Sequence, residues 1–196
     1  MTGRLALAAI VSIAAASPAL AHPGALGHGS LAAGFAHPLL GLDHMLVMLA
    51  VGLWASLLGA QGGKRAVWLV PSAFLGAMAT GFALALSGLA LPFVEPTILA
   101  SVVVLGLLAA AAYTVPAGVG MALVASFALF HGYAHAGALG AAGALAFGVG
   151  FIVSTGLLHM TGIGLGRLLG SSAGRILIRL MGGVTALAGL VMAMGA

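Results

Sequence analysis

Long apolar segments make up almost the whole chain, and they constrain its fold more than any other feature. They run roughly over residues 37–59, 66–91, 95–113, 117–135, 139–162 and 177–195. Each is close to the ~20 residues that a helix needs to cross the hydrocarbon core of a bilayer. A helix satisfies its own backbone hydrogen bonds, which lipid cannot do for it. The sequence therefore predicts an all-α polytopic membrane protein with six transmembrane helices.

The composition excludes the other broad classes of protein. Charged residues are 4% of the chain and apolar residues 63%, whereas a soluble domain carries about 25% charged residues. Intrinsic disorder requires the opposite balance of low hydrophobicity and high charge. The net charge of +4 comes from six cations spread along the chain, too few for a patch that follows phosphates. We therefore expect membrane lipid as a partner and no nucleic acid.

The N-terminal segment resembles a secretory signal. Arg4 is followed by the apolar run Leu5–Ala16, which is too short to span a bilayer. Pro18 interrupts this run, and Ala19-Leu20-Ala21 has the small-residue pattern of a cleavage site. The sequence thus predicts a signal peptide at 1–21 and a single six-helix transmembrane domain at 22–196, with the mature N-terminus outside the cytoplasm.

The basic residues agree with this topology. Counting six spans from an outside N-terminus places every cation on the cytoplasmic side, as the positive-inside rule requires. These cations are Arg4, Lys64, Arg65, Arg167, Arg175 and Arg179. We therefore expect a multi-pass protein of the inner (plasma) membrane.

Ionisable residues inside the predicted spans are the candidate functional residues, because burying them in lipid is costly. They are His37, Asp43, His44, Glu95, His131, His135 and His159, and they include both acidic residues of the protein. The absence of cysteine excludes thiolate ligands. Imidazoles with a carboxylate suit a divalent first-row metal, with nickel or cobalt plausible and zinc compatible.

Spacing suggests how these residues meet. His44 lies seven residues after His37, so one helix would present both on the same face. Asp43 would either ligate a metal or accept a ring N–H from a histidine of a neighbouring helix. The i, i+4 pair His131 and His135 would bind one ion from a single helix.

Two further residues complete the predicted set. Glu95 opens the third span at the outer end, where the cluster would lie. His159 is expected near the inner end of the fifth span, too far from the outer end to join that cluster.

The sequence resembles the HupE/UreJ family of nickel permeases. The resemblance is carried by His37-Pro38-x-x-Gly41-x-Asp43-His44 and the apolar residues after it, by Phe130-His131-Gly132-Tyr133-Ala134-His135, and by Gly156-Leu157-Leu158-His159. It implies six spans, and uptake of nickel, or cobalt, for hydrogenase or urease assembly. The ion would be cargo rather than a cofactor, and cytoplasmic metallochaperones would be partners. The chain differs from the family pattern after His135. Family members commonly have an acidic residue shortly after this histidine, whereas this chain has none there, so the part of the site around His131 and His135 is neutral.

Other functions fit less well. The chain is not expected to be an enzyme. Membrane di-iron oxygenases share the spacing of His131 and His135 but need adjacent histidine pairs on the cytoplasmic side, and this chain has seven histidines and no such pair. The possibility that the chain is a haem-binding cytochrome stays open, and reduced-minus-oxidised spectra would test it. The main alternative is a non-transporting membrane assembly or accessory subunit for hydrogenase or urease. No phosphate-binding loop is present, so the chain is not itself an ATPase.

Overall fold

A computed structural model describes residues 30–61, 63–136 and 143–195, and these residues form seven helices. The helices are α1 (Leu31–Leu40), α2 (Leu42–Ala60), α3 (Ala66–Leu86), α4 (Val94–Ala111), α5 (Ala117–Ala136), α6 (Ala144–Leu168) and α7 (Ser172–Ala193). All but the short α1 are long and apolar enough to cross a membrane. The prediction of an all-α protein with six spans is confirmed. The predicted signal peptide at 1–21 lies outside the described residues.

The prediction that one helix carries both His37 and His44 is wrong. The chain breaks at Gly41, which has extended backbone angles of φ −91° and ψ 115°. Pro38 lies in the last turn of α1 and has no N–H to donate to the preceding turn, which weakens the helix just before the break. His37 therefore belongs to α1 and His44 to α2, so their spacing along the chain no longer sets their relative direction.

The last two helices also differ from their predicted bounds. The sequence predicts that the fifth span ends near residue 162 and the sixth begins near residue 177, but α6 continues to Leu168 and α7 begins at Ser172. Ser171 caps α7, because its side-chain oxygen accepts a hydrogen bond of 3.1 Å from the Gly174 N–H. His159 consequently lies in the interior of α6 and not near its end.

Glycines set how closely the helices pack. In α2 and α6, a Cβ atom on Gly52 would meet the backbone of Gly162, and the reverse also holds. A Cβ atom on Gly132 in α5 would overlap the Met78 carbonyl oxygen of α3. Small residues permit such contacts between transmembrane backbones. The resulting bundle is centred on α2, the span with the largest buried share.

The two ends of the bundle differ in charge. Short connections make successive helices antiparallel, and every cation in the described part of the chain lies at one end, here called the basic end. Arg167 in α6 places its guanidinium carbon 5.6 Å from the ring centroid of Trp68, near the start of α3. The Arg179 Nε–H donates a hydrogen bond of 2.8 Å to the Ala110 carbonyl oxygen at the end of α4. The opposite end, where α2 begins and α5 ends, is here called the histidine end.

Candidate metal-binding site

Four histidines from three helices gather at the histidine end. The His135 ring from α5 lies against His37 of α1 and His44 of α2, with ring centroids 4.5 Å and 4.2 Å away. His44 also contacts His131, at a centroid distance of 4.7 Å. These four residues are the histidine cluster. The fold thus brings together both histidine motifs, although their residues come from separate helices.

Burial increases along the cluster. His37 is exposed at the surface of the chain. His44 and His135 are each 7% exposed, and His131 is fully buried. The cluster therefore forms a continuous series of imidazoles from the surface into the bundle.

Asp43 pairs with its neighbour in sequence. Its Oδ1 lies 3.0 Å from His44 Nδ1, a hydrogen-bond distance at which the carboxylate accepts the Nδ1–H of the ring. Of the two roles predicted for Asp43, acceptance of a ring N–H therefore involves a histidine of its own helix instead of a neighbouring one, and direct metal ligation stays a prediction. The pairing fixes the tautomer of His44 and leaves its Nε2 lone pair available for a ligand.

Three ring nitrogens of the cluster are buried and have no hydrogen-bond partner among the described residues. They are His44 Nε2, His131 Nδ1 and His135 Nε2. Buried polar atoms are normally paired, and neutral imidazole nitrogens are good ligands for divalent first-row metals. The donor set therefore fits such an ion.

The rings nevertheless contact one another mostly edge to face, with interplanar angles of 83° and 86° for two of the pairs. Within the part of the chain that the structure describes, no three His, Asp or Glu side chains are placed to hold one metal ion. Binding would therefore require the rings to turn about their side-chain torsions while their helices stay in place.

Tyr133 helps to hold the second histidine motif in position, a role that sequence analysis missed. Its hydroxyl donates a hydrogen bond of 2.9 Å to the Leu89 carbonyl and accepts one of 3.2 Å from the Leu91 N–H. Both partners belong to the connection between α3 and α4. The tyrosine between the two histidines of α5 therefore ties the end of that helix to its neighbours.

Aromatic side chains of α6 line the cluster and were also missed. Phe151 lies 4.4 Å from the His135 ring and 6.4 Å from the His37 ring, measured between centroids. Phe147 lies 5.5 Å from His37. The i, i+4 spacing of these phenylalanines was the available signal, but in a chain this apolar it does not distinguish a site wall from ordinary core packing.

Glu95 is not part of the cluster. It lies in the first turn of α4 at the histidine end and is exposed. Within the described residues, no hydrogen bond or ion pair joins it to a histidine. The structure therefore places Glu95 at the expected end of the bundle but does not bring it into contact with the other predicted ligands.

His159 is also separate from the cluster, and Phe74 of α3 lies between them. The Phe74 ring centroid is 5.9 Å from that of His131 and 5.0 Å from that of His159. His159 is 1% exposed, and both of its ring nitrogens are without a hydrogen-bond partner among the described residues. It also contributes to the wall of a crevice of about 240 Å³ between α3 and α6. His159 is thus a second, isolated imidazole deeper in the bundle.

Comparison with known proteins agrees with the sequence motifs. A family profile described as HupE / UreJ protein matches residues 9–192. The chain is 44% identical over 187 residues to the protein HupE of Rhizobium leguminosarum bv. viciae, and the alignment covers 95% of each protein. No solved structure matches the chain. This multi-pass membrane protein therefore belongs to the HupE/UreJ family.

Proposed function

We propose that this protein carries nickel, or cobalt, across the inner membrane into the cytoplasm, where the metal serves the maturation of hydrogenase or urease. HupE/UreJ proteins form a membrane accessory and transport family. The observation that carries the proposal is the series of imidazoles from exposed His37 to fully buried His131. Such a series can take an ion from water and replace its hydration shell stepwise.

The chemistry of the cluster favours a divalent cargo. Neutral imidazoles bind nickel, cobalt and zinc, and Asp43 adds one negative charge beside His44. Charge balance disfavours anions, and the chain has no cysteine to retain copper(I). In this proposal His37 makes the first contact, His135 and His44 follow, and His131 receives the ion at the bottom of the cluster.

In the next step of the proposed path, the ion moves from His131 past the Phe74 ring to His159. Because this ring contacts both His131 and His159, a change in its side-chain torsion would connect the cluster with the deeper imidazole. His159 then acts as a second binding position on the way to the basic end. Glu95 contributes a negative charge at the histidine end, which raises the local concentration of cations.

The orientation follows from charge. With the basic end in the cytoplasm, all five cations of the described chain obey the positive-inside rule. The histidine end and the mature N-terminus then face outside, and metallochaperones would take the ion at the basic end. A charge that crosses the membrane gains about 2.3 kcal/mol per 100 mV. A divalent ion therefore gains roughly 4.6 kcal/mol per 100 mV, which drives uptake without nucleotide hydrolysis.

Reconstitution into sealed liposomes tests this proposal. Purified protein is reconstituted with a nickel-sensitive dye inside, and valinomycin with a potassium gradient imposes an inside-negative potential at equal pH and without ATP. We expect nickel influx that rises with the potential and is lost in the His131→Ala variant. Nickel influx that does not depend on the membrane potential would refute the proposal that the potential drives uptake.

The same preparation separates transport from the alternative function. A non-transporting accessory subunit would bind nickel in equilibrium dialysis but show no influx at any potential. Wild-type protein with that behaviour would refute the transport proposal.

A further inference from the structure

Ser101 of α4 is a fully buried residue in contact with the histidine cluster. Its Oγ lies 2.8 Å from His131 Nε2 and 2.6 Å from the Ile98 carbonyl oxygen. The second distance is that of a serine hydroxyl donating to the carbonyl three residues earlier in its own helix. The hydroxyl thus lies between a carbonyl oxygen, which can only accept a hydrogen bond, and an imidazole nitrogen, which can donate or accept one.

Counting hydrogens decides the direction of the bond to His131. A serine hydroxyl has a single proton to donate and two lone pairs to accept with. The Ile98 carbonyl can only accept, and the 2.6 Å distance favours the Ser101 proton being directed to it. With that assignment Ser101 Oγ accepts from His131, and the hydrogen of the imidazole is on Nε2.

The other ring nitrogen of His131 is then the one that can bind a metal ion. With the hydrogen on Nε2, the lone pair is on Nδ1. That atom is buried and lacks a hydrogen-bond partner among the residues described, and its ring lies against His44. His44 is held in the opposite sense, because Asp43 accepts its Nδ1–H and Nε2 has no hydrogen-bond partner among the described residues.

We propose that Ser101 is a positioning residue that selects Nδ1 of His131 as the nitrogen that binds the transported metal. This inference rests on the proposed function. Ser101 and Asp43 then act alike, since each occupies one nitrogen of a histidine and leaves the other for the ion. Outer partners of this kind orient the ring of a ligand and are worth about 10–100-fold in metal affinity.

Replacement of the serine tests the kinetic consequence. Ser101→Ala leaves the Nε2–H without an acceptor, so the ring no longer has a preferred tautomer or direction. We expect the apparent KM for nickel influx into liposomes to rise about tenfold or more, with the maximal rate per molecule of protein retained. Ser101→Thr keeps the hydroxyl and should restore most of the affinity.

Ser56→Ala is the matched control. Ser56 is also buried, and its hydroxyl donates to the Leu53 carbonyl three residues earlier at 2.7 Å. Among the described residues, no histidine is hydrogen-bonded to the Ser56 hydroxyl. Ser56→Ala therefore removes the same kind of intrahelical hydrogen bond without affecting the histidine cluster. An equal KM for Ser101→Ala and Ser56→Ala would overturn the proposal.

A spectroscopic measurement keeps the proposal testable if Ser101→Ala does not accumulate. Nitrogen-15 NMR of histidine-labelled, metal-free protein reports which ring nitrogen carries the hydrogen, and a His131→Gln variant assigns the signal. We expect wild-type His131 to be the Nε2–H tautomer, and a hydrogen on Nδ1 would overturn the proposal. If wild-type protein moved no nickel, the proposed function would fail, whereas the spectrum would still decide the tautomer.

Discussion

At the scale of single residues, the histidines of this protein differ in what their ring nitrogens contact. His44 and His131 each use one nitrogen on a polar neighbour, and the other has no hydrogen-bond partner in the described part of the chain. His159 has neither nitrogen paired among the described residues and lies beyond Phe74. A buried polar group without a partner is costly in a membrane, and under the proposed function the passing ion supplies that partner.

Two alanine variants separate binding from transfer. We expect His135→Ala to weaken nickel binding by the purified protein roughly tenfold or more, because it removes a buried cluster nitrogen. His159→Ala should leave equilibrium binding within a few-fold of wild type, since Phe74 separates it from the cluster, but should strongly slow influx. Equilibrium dialysis and liposome influx on the same preparations provide both numbers.

Two other outcomes for His159→Ala would contradict this prediction. If His159→Ala lost binding and influx together, the two imidazoles would belong to one site. If it kept both at the wild-type level, His159 would have no part in the path.

At the scale of helices, the cluster depends on how closely neighbouring backbones approach. The two helices that supply most of it, α2 and α5, pack little against each other and are held by other partners. α5 packs most extensively on α3, and α2 on α6. The contact of Gly132 with Met78 lies between the two histidines of α5. The relative position of the cluster residues is therefore set by contacts outside the cluster.

Adding one methyl group at this contact should disturb the site. In Gly132→Ala the new Cβ would overlap the Met78 carbonyl, so α5 must move away from α3 and carry His131 and His135 with it. We expect a loss of about 1–3 kcal/mol in stability and weaker nickel binding. Thermal denaturation in detergent, followed by fluorescence-detected size-exclusion chromatography, measures the first effect.

Gly76→Ala is the control for this substitution. Gly76 lies in the middle of α3, and no described atom would come within 4 Å of an added Cβ. Alanine there should be neutral or slightly stabilising, since glycine in a helix interior costs roughly 0.5–1 kcal/mol relative to alanine. Equal melting temperatures for both variants would show that the contact between α3 and α5 tolerates a methyl group.

At the scale of the whole molecule, the bundle has one end with histidines and acids and one end with cations. The chain contains no cysteine, so single cysteines can be introduced without removing native ones. Leu89 in the connection between α3 and α4 is 53% exposed at the histidine end. Lys64 is exposed at the basic end.

Labelling of these two positions tests the orientation. In sealed cells, a membrane-impermeant maleimide should modify Leu89→Cys and reach Lys64→Cys only after the membrane is permeabilised, because cations are retained in the cytoplasm. Labelling of Lys64→Cys in sealed cells, with Leu89→Cys protected, would reverse the proposed direction of transport.

The class of the protein and its candidate residues could be predicted from the amino-acid sequence alone. Hydropathy and length specify membrane helices, because every apolar residue contributes to insertion whatever it later packs against. The rarity of charged and polar groups made the seven candidates visible, and the histidine motifs identified the family.

Which of the candidates meet depends on how the helices pack. The break at Gly41 separates His37 from His44, and the packing of α5 brings His131 and His135 to them. Ser101, Tyr133 and Phe74 act through contacts with residues far away in the chain. Such contacts depend on the angles and distances between helices, and in an almost uniformly apolar chain the periodicity of a single helix carries little information about them.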